Sequence, residues 1–259
     1  MLKMGRGYYH ALTTLFFNPR ELARKYRSLP LFVRNWSRYV VLNSDPAFSV
    51  RLRSLWYRSY DRYGAAGDAN GHYFFQDLWA ARDLFVRRIE SHVDVGSRID
   101  GFVAHVLPFC DVTYVDIRPV PLEWPGFRFR LGSVTDLPYD DDTIASLSCL
   151  HVIEHVGLGR YGDPVAPDGY LTAARELSRV LAPGGQLLLG TPVGRERLCF
   201  DAHRVFDPLT ITDAFETLEL LEFLLIDDGG ERVEAASFGE ARKCEYGCGL
   251  FRFRKPLSE

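Results

Sequence analysis

The chain has 259 residues, 47% of them hydrophobic and 25% charged, with a formal net charge of -3 at pH 7. That balance excludes a disordered chain, gives no general electrostatic reason to bind nucleic acid, and suits one large α/β domain with an appendage. No apolar run reaches the ~20 residues that would span a bilayer. The five cysteines, Cys110, Cys149, Cys199, Cys244 and Cys248, are an odd, scattered set without the look of a disulfide framework, which fits a reducing, cytoplasmic compartment.

In chain order, Tyr8 to Phe17 is apolar and follows Lys3 and Arg6, but His10, Thr13 and Thr14 interrupt it and no small-residue cleavage site follows, so it does not read as a signal peptide. Residues 1–90 read as an N-terminal helical cover or lid, with breaks at Pro19, Pro30, Pro46 and in the run Gly64 to Gly71. Its arginines (Arg20, Arg24, Arg27, Arg34, Arg38, Arg51, Arg53, Arg58) fit a solvated helical face over packed aromatics better than a phosphate-binding surface. From Tyr73 to Glu90, Phe75, Leu78, Trp79, Leu84, Phe85 and Ile89 recur at helical spacing and predict an amphipathic helix.

Residues 91–259 change character, to short apolar runs alternating with helical segments, the pattern of a parallel sheet covered on both faces. Strands are predicted at His92–Val95, Val112–Asp116, Phe127–Leu131, Ile144–Leu150 and Gln186–Gly190, with helices at Ile99–Leu107 and Tyr170–Leu181. Two later strands, Leu218–Ile226 and Gly249–Phe253, are expected to form an antiparallel pair at the sheet edge.

The chemistry gathers at the strand ends. Asp94-Val95-Gly96-Ser97-Arg98-Ile99-Asp100-Gly101 joins the first strand to a glycine turn, where backbone amides can approach a polar ligand closely. The second strand ends in Asp116, about 20 residues past Asp94, the offset at which a carboxylate meets ribose hydroxyls. After the third strand, Val134-Thr135-Asp136 places another carboxylate where it could accept from a purine amine; equally, Asp136 could cap a helix before Pro138. The fourth strand runs into Leu150-His151-Val152-Ile153-Glu154-His155, and Leu181-Ala182-Pro183-Gly184-Gly185 precedes the fifth.

In this order and spacing the segments resemble class I S-adenosylmethionine-dependent methyltransferases over residues 91 to about 254. Tyr73 to Arg82 and Phe200-Asp201-Ala202-His203-Arg204-Val205-Phe206 are similar, more closely, to the family called domain of unknown function 268. The resemblance implies an α/β fold with a Rossmann-like methyltransferase sheet, mostly parallel, seven-stranded and with its last strand antiparallel, preceded by an N-terminal helical extension. It implies S-adenosyl-L-methionine as cofactor. Asp94, Gly96, Ser97 and Gly101 would lie at its methionine and ribose end, Asp116 and Ile117 at ribose and adenine, and Val134, Thr135 and Asp136 at the adenine edge, with Leu150 and His151 closing the pocket.

The reaction expected is methyl transfer to a small-molecule or glycan-like acceptor, at a hydroxyl, with His155, His203 or Asp201 as the proton acceptor and Glu154 available to orient a histidine. Against this, His203-Arg204 could equally serve as a loop salt bridge or helix cap. The alternative function is a non-catalytic binding protein with a degenerate cofactor turn, since Ser97-Arg98-Ile99 replaces the usual glycine pattern. No metal is assigned. His151-Val152-Ile153-Glu154-His155 matches an inverted zinc-protease pattern, which requires both imidazoles on one helix face, and Cys244 with Cys248 has no second Cys/His pair at zinc-finger spacing. Oligomeric state is left open.

Overall fold

A computed structural model describes residues 19–51, 55–57, 67 and 69–257, with side chains from residue 26 onward. Tyr8 to Phe17, Arg53, Arg58, the side chains of Arg20 and Arg24, and Gly64, Ala65, Ala66 and Asp68 of the expected loop lie outside it. The chain divides into two compact units, Met1–Asp68 and Ala69–Glu259.

In the first unit, helix α1 (Pro19–Leu42) passes through Pro30. Asp45 caps the following short turn by accepting from the Ala47 amide at 2.8 Å. The Phe32 ring meets Tyr57 edge-on at 5.0 Å.

The second unit begins with helix α2 (Gly71–Val86). This helix groups with the sheet. It stops short of Glu90: Arg88 turns to φ 57°, and the Ile89 amide donates back to the Leu84 carbonyl at 3.0 Å, a left-handed stop that returns Ile89 to the core.

Strands β1 (Ser91–Val95), β2 (Asp111–Asp116), β3 (Phe127–Leu131), β4 (Ile144–Leu150) and β5 (Leu181–Val193) pair in parallel. A hairpin, β6 (Arg197–Cys199) with β7 (His203–Val205), follows, then β8 (Glu219–Ile226), β9 (Arg232–Val233) and β10 (Gly247–Arg254). The main sheet has eight strands in the order β3-β2-β1-β4-β5-β10-β8-β9. The two late strands form the expected antiparallel pair at one end of the sheet, with β10 between β5 and β8 and only the short β9 beyond them. Residues Gly247 to Phe251 of β10 are all buried, which suits an interior strand; the short β9 takes the edge.

Alternation along β5 divides the core. Leu187 and Leu189 face Leu147, Cys149 and Phe251 under helices α3 (Gly169–Val180) and α4 (Pro208–Ala214). Leu188 faces the other way, with Leu150, Val112 and Tyr114, beneath Ala80, Ala81 and Leu84 of α2. Each fully buried leucine contributes about 1.5–3 kcal/mol. The segment expected as the helix Ile99–Leu107 is instead a π-turn, Ile99–Val103, running into a single helical turn, Ala104–Val106. The break is at Gly101 (φ -112°, ψ -105°), where a Cβ would overlap the Asp77 carboxylate.

Candidate functional site

A cavity of about 340 Å³ opens at the C-terminal ends of β1, β2 and β4, the edge at which parallel α/β sheets bind ligands. Its floor includes Gly96, whose φ of 71° and position against Val152 leave little room for a side chain. Of the residues expected around a cofactor, Gly96, Asp116, Ile117, Val134, Thr135 and His151 line the cavity, and so does His155 among the expected catalytic residues.

The others stand behind or beside it. Asp94 is fully buried, with its carboxylate spent on the turn: Oδ2 accepts from the Ser97 amide at 3.0 Å, and Oδ1 from the Ser97 hydroxyl at 2.6 Å and from Ser148. Burial raises its pKa to about 6. Ser97 in turn accepts from the Leu150 amide at 3.2 Å, tying the glycine turn to β4, and Leu150 itself is core. Gly101 packs on Asp77. Asp136 closes a tight turn through its amide to Ser133 at 3.1 Å and caps no helix. His203 sits on β7 with its ring 4.9 Å from Tyr246, and Asp201 is exposed in the hairpin turn; neither lines the cavity.

Asp116 does open into the cavity, but its acceptors are taken. Arg118 donates its amide (2.8 Å) and Nε (3.0 Å) to Oδ1 and its Nη2 (2.9 Å) to Oδ2, with the Tyr114 hydroxyl 3.1 Å from Oδ2. Burial alone would raise the Asp116 pKa, yet these bonds hold it below the usual carboxylate range. The Arg118 guanidinium also lies 4.6 Å from the Tyr161 ring centroid, on the cavity wall.

That wall, residues 156–172, escaped the sequence reading. Asp163 organises it by accepting from the Gly157 amide at 2.7 Å and the Tyr161 amide at 3.3 Å, and the Ala166 amide returns to the Gly157 carbonyl at 3.0 Å. Arg204 braces the same loop through the carbonyls of Val156 (2.7 Å) and Pro167 (3.0 Å), so it is neither a salt-bridge partner nor a cap. Gly157 has φ 78°, and a Cβ there would overlap the Ala166 carbonyl oxygen. Gly157→Ala is therefore expected to cost at least about 2 kcal/mol in urea denaturation, from left-handed strain plus the clash. An unchanged midpoint would show that the wall is built otherwise.

The segment His151 to His155 is a turn rather than a helix, so the inverted zinc-protease arrangement does not form. His155 donates from Nδ1 to the Ala202 carbonyl at 2.6 Å, which leaves Nε2 as its basic atom, 3.7 Å from Glu154 Oε1. His151 Nδ1 lies 2.7 Å from Glu154 Oε1 and its Nε2 3.6 Å from Cys248 Sγ. Burial would lower the His151 pKa, but its interactions with Cys248 and Glu154 raise it well above its usual value.

The strand order with an antiparallel strand set between β5 and β8, and a ligand-sized cavity at the ends of β1, β2 and β4, can be compared with solved structures. The N-methyltransferase NodS from Bradyrhizobium japonicum WM9, solved with S-adenosyl-l-homocysteine, is 18% identical, with a TM-score of 0.53 over 87% of this chain and 98% of NodS. This is the class I methyltransferase fold. A putative sarcosine dimethylglycine methyltransferase from Galdieria sulphuraria shares the fold (15% identity, TM-score 0.51, 70% of this chain and 85% of that one). So does the [4+2]-cyclase SpnF (16% identity, TM-score 0.51, 70% and 81%). Residues 138–236 match the family described as Caenorhabditis protein of unknown function, DUF268. No curated protein matches the sequence. Among the described residues no helix is long and apolar enough to cross a membrane.

Proposed function

We propose that this protein is an S-adenosylmethionine-dependent methyltransferase acting on a small-molecule acceptor. The observation that carries the reading is the placement of Asp116 at the end of β2, opening into the same cavity as the Gly96 turn within a methyltransferase sheet. NodS, whose structure contains S-adenosyl-l-homocysteine, supports it. Asp116 would take the ribose hydroxyls, and Ile117, Val134 and Thr135 would flank the adenine. Asp94, Ser97 and Leu150 would hold the turn in shape from behind. The cofactor supplies an electrophilic methyl group; the chain's part is to align an acceptor with it and exclude water. For a hydroxyl acceptor, on a small or glycan-like molecule, His155 Nε2 is the group in the cavity suited to accept the proton. His203 and Asp201 would need the hairpin to move before they could serve.

A second reading, a binding protein or an enzyme of another reaction on the same fold, is favoured by the Arg118 guanidinium that occupies Asp116. SpnF, a cyclase, supports it as well. Calorimetry with S-adenosylhomocysteine tests the first reading. One site per chain is expected, with a rise in melting temperature that grows with ligand concentration. No binding at millimolar ligand would leave only the second.

A further inference from the structure

Beside the cavity, three side chains with ligating atoms meet from separate elements. His72 opens α2, His151 follows β4 and Cys248 lies in β10, and one ring nitrogen of each histidine and the cysteine sulfur lie within 4.8 Å of one another. His151 and Cys248 are buried, and His72 is half-buried. His151 Nε2 and Cys248 Sγ are 3.6 Å apart. In a tetrahedral zinc complex, Zn–N bonds of about 2.0–2.1 Å and a Zn–S bond of about 2.3 Å set the N···S edge at about 3.5 Å. The pair thus already has the spacing of two zinc ligands.

Each imidazole has its other nitrogen engaged. His151 Nδ1 is held by Glu154 Oε1 at 2.7 Å and His72 Nε2 by the Tyr246 carbonyl at 3.2 Å. Both acceptors require N–H, so a metal would take the lone pair of His72 Nδ1 and displace the second proton of His151 from Nε2. A carboxylate or carbonyl behind each imidazole is the support that metal-ligating histidines characteristically have.

We propose that His72, His151 and Cys248 bind a zinc ion, with Glu154 and the Tyr246 carbonyl positioning the two imidazoles. The N₂S set favours zinc over magnesium or calcium, which take oxygen ligands. Forming the full set requires the His72 side chain, in the first turn of α2, to rotate toward the other two. Three protein ligands leave a tetrahedral position open for water or another donor. The site needs nothing of the cofactor reading, because its affinity is measured on the protein alone.

The test uses cobalt as a spectroscopic stand-in for zinc, added to full-length protein that has been stripped with a chelator. One equivalent of Co²⁺ is expected to produce a thiolate-to-cobalt charge-transfer band and the d–d absorption of a tetrahedral site, both removed by one equivalent of Zn²⁺. Cys248→Ala should abolish the charge-transfer band, while Cys244→Ala keeps it. His72→Gln, at a half-buried helix start whose loss leaves the core intact, should weaken binding at least about tenfold, and Glu154→Gln about 10–100-fold. A wild-type protein without the band, a band that survives in Cys248→Ala, or unchanged affinity in His72→Gln would overturn the proposal. None of these outcomes bears on S-adenosylhomocysteine binding, which is read separately.

Discussion

Asp116→Ala is expected to weaken S-adenosylhomocysteine binding about 100-fold, and Arg118→Ala to tighten it about fivefold. The first magnitude follows from the proposed contacts: two ribose hydroxyls donating to one carboxylate, at about 1.5 kcal/mol or more each, make about 3 kcal/mol. The second follows from competition. Arg118 and Tyr114 use both oxygens of Asp116 in the ligand-free geometry, so a ribose must displace the guanidinium before it can bind. The Arg118 side chain is 55% exposed, which limits the ion pair to about 1 kcal/mol, or roughly fivefold in affinity. Calorimetry on the two single variants and the double variant checks both numbers. Full affinity in Asp116→Ala would overturn the ribose assignment. Weakened binding in Arg118→Ala would make Arg118 part of the binding site rather than a plug, with the guanidinium over Tyr161 forming a ligand contact.

The same pair marks the boundary of what could be read from the amino-acid order. Strands β1 to β4 came out within one residue of their observed limits because β1, β2 and β4 are short, mostly buried segments bounded by turn residues, while the edge strand β3 alternates Phe127, Phe129 and Leu131 with Arg128 and Arg130. Their carboxylate ends fall where they do because the strands do, which is why Asp116 was legible. Whether Asp116 is free is a different matter: Arg118, two residues on, carries no periodic signal of its role. Strands β6, β7 and β9, of two or three residues, are too short to show alternation. The interior place of β10 depends on pairing with a strand more than fifty positions earlier, which local pattern does not encode.

The cavity wall was missed for a related reason. Gly157, Gly159, Gly162 and Asp163 are turn formers, and a run of turn formers reads as connecting loop whether or not it folds over a ligand site. Gly101 shows the converse. It was legible as one end of a cofactor fingerprint, yet its lack of a side chain serves the approach of Asp77 from α2. Cys248 and His151 are 97 positions apart, so a sequence scan for neighbouring Cys/His pairs passes over them and stops at Cys244 instead.

Under the glycine turn, His92 and Asp94 should give the stability of the protein two opposing pH dependences. Ser148 links them: its hydroxyl donates to Asp94, so it accepts from His92 Nε2 at 2.8 Å, and His92 Nδ1 is left to accept from Ser146 at 2.8 Å. That arrangement needs a neutral imidazole, and burial lowers the His92 pKa from 6.5 to about 3. As pH falls below 6.5 the unfolded chain takes up a proton at His92 that the folded chain refuses, so this residue destabilises the fold by about 1.4 kcal/mol per pH unit. Asp94 acts with the opposite sign. Its folded pKa of about 6 lies above the ordinary 3.8, so between these values the folded chain holds a proton that the unfolded chain has lost, and stability falls as pH rises. His92→Gln keeps an amide donor and acceptor between the two serines but cannot titrate. Relative to wild type it should therefore gain about 3 kcal/mol between pH 6.5 and pH 4. Asp94→Asn should lose a similar amount, about 3 kcal/mol, relative to wild type between pH 6 and pH 4. Urea denaturation at stepped pH reads both differences, and unfolding curves for His92→Gln that run parallel to wild type across this range would show that His92 is charged beneath the turn.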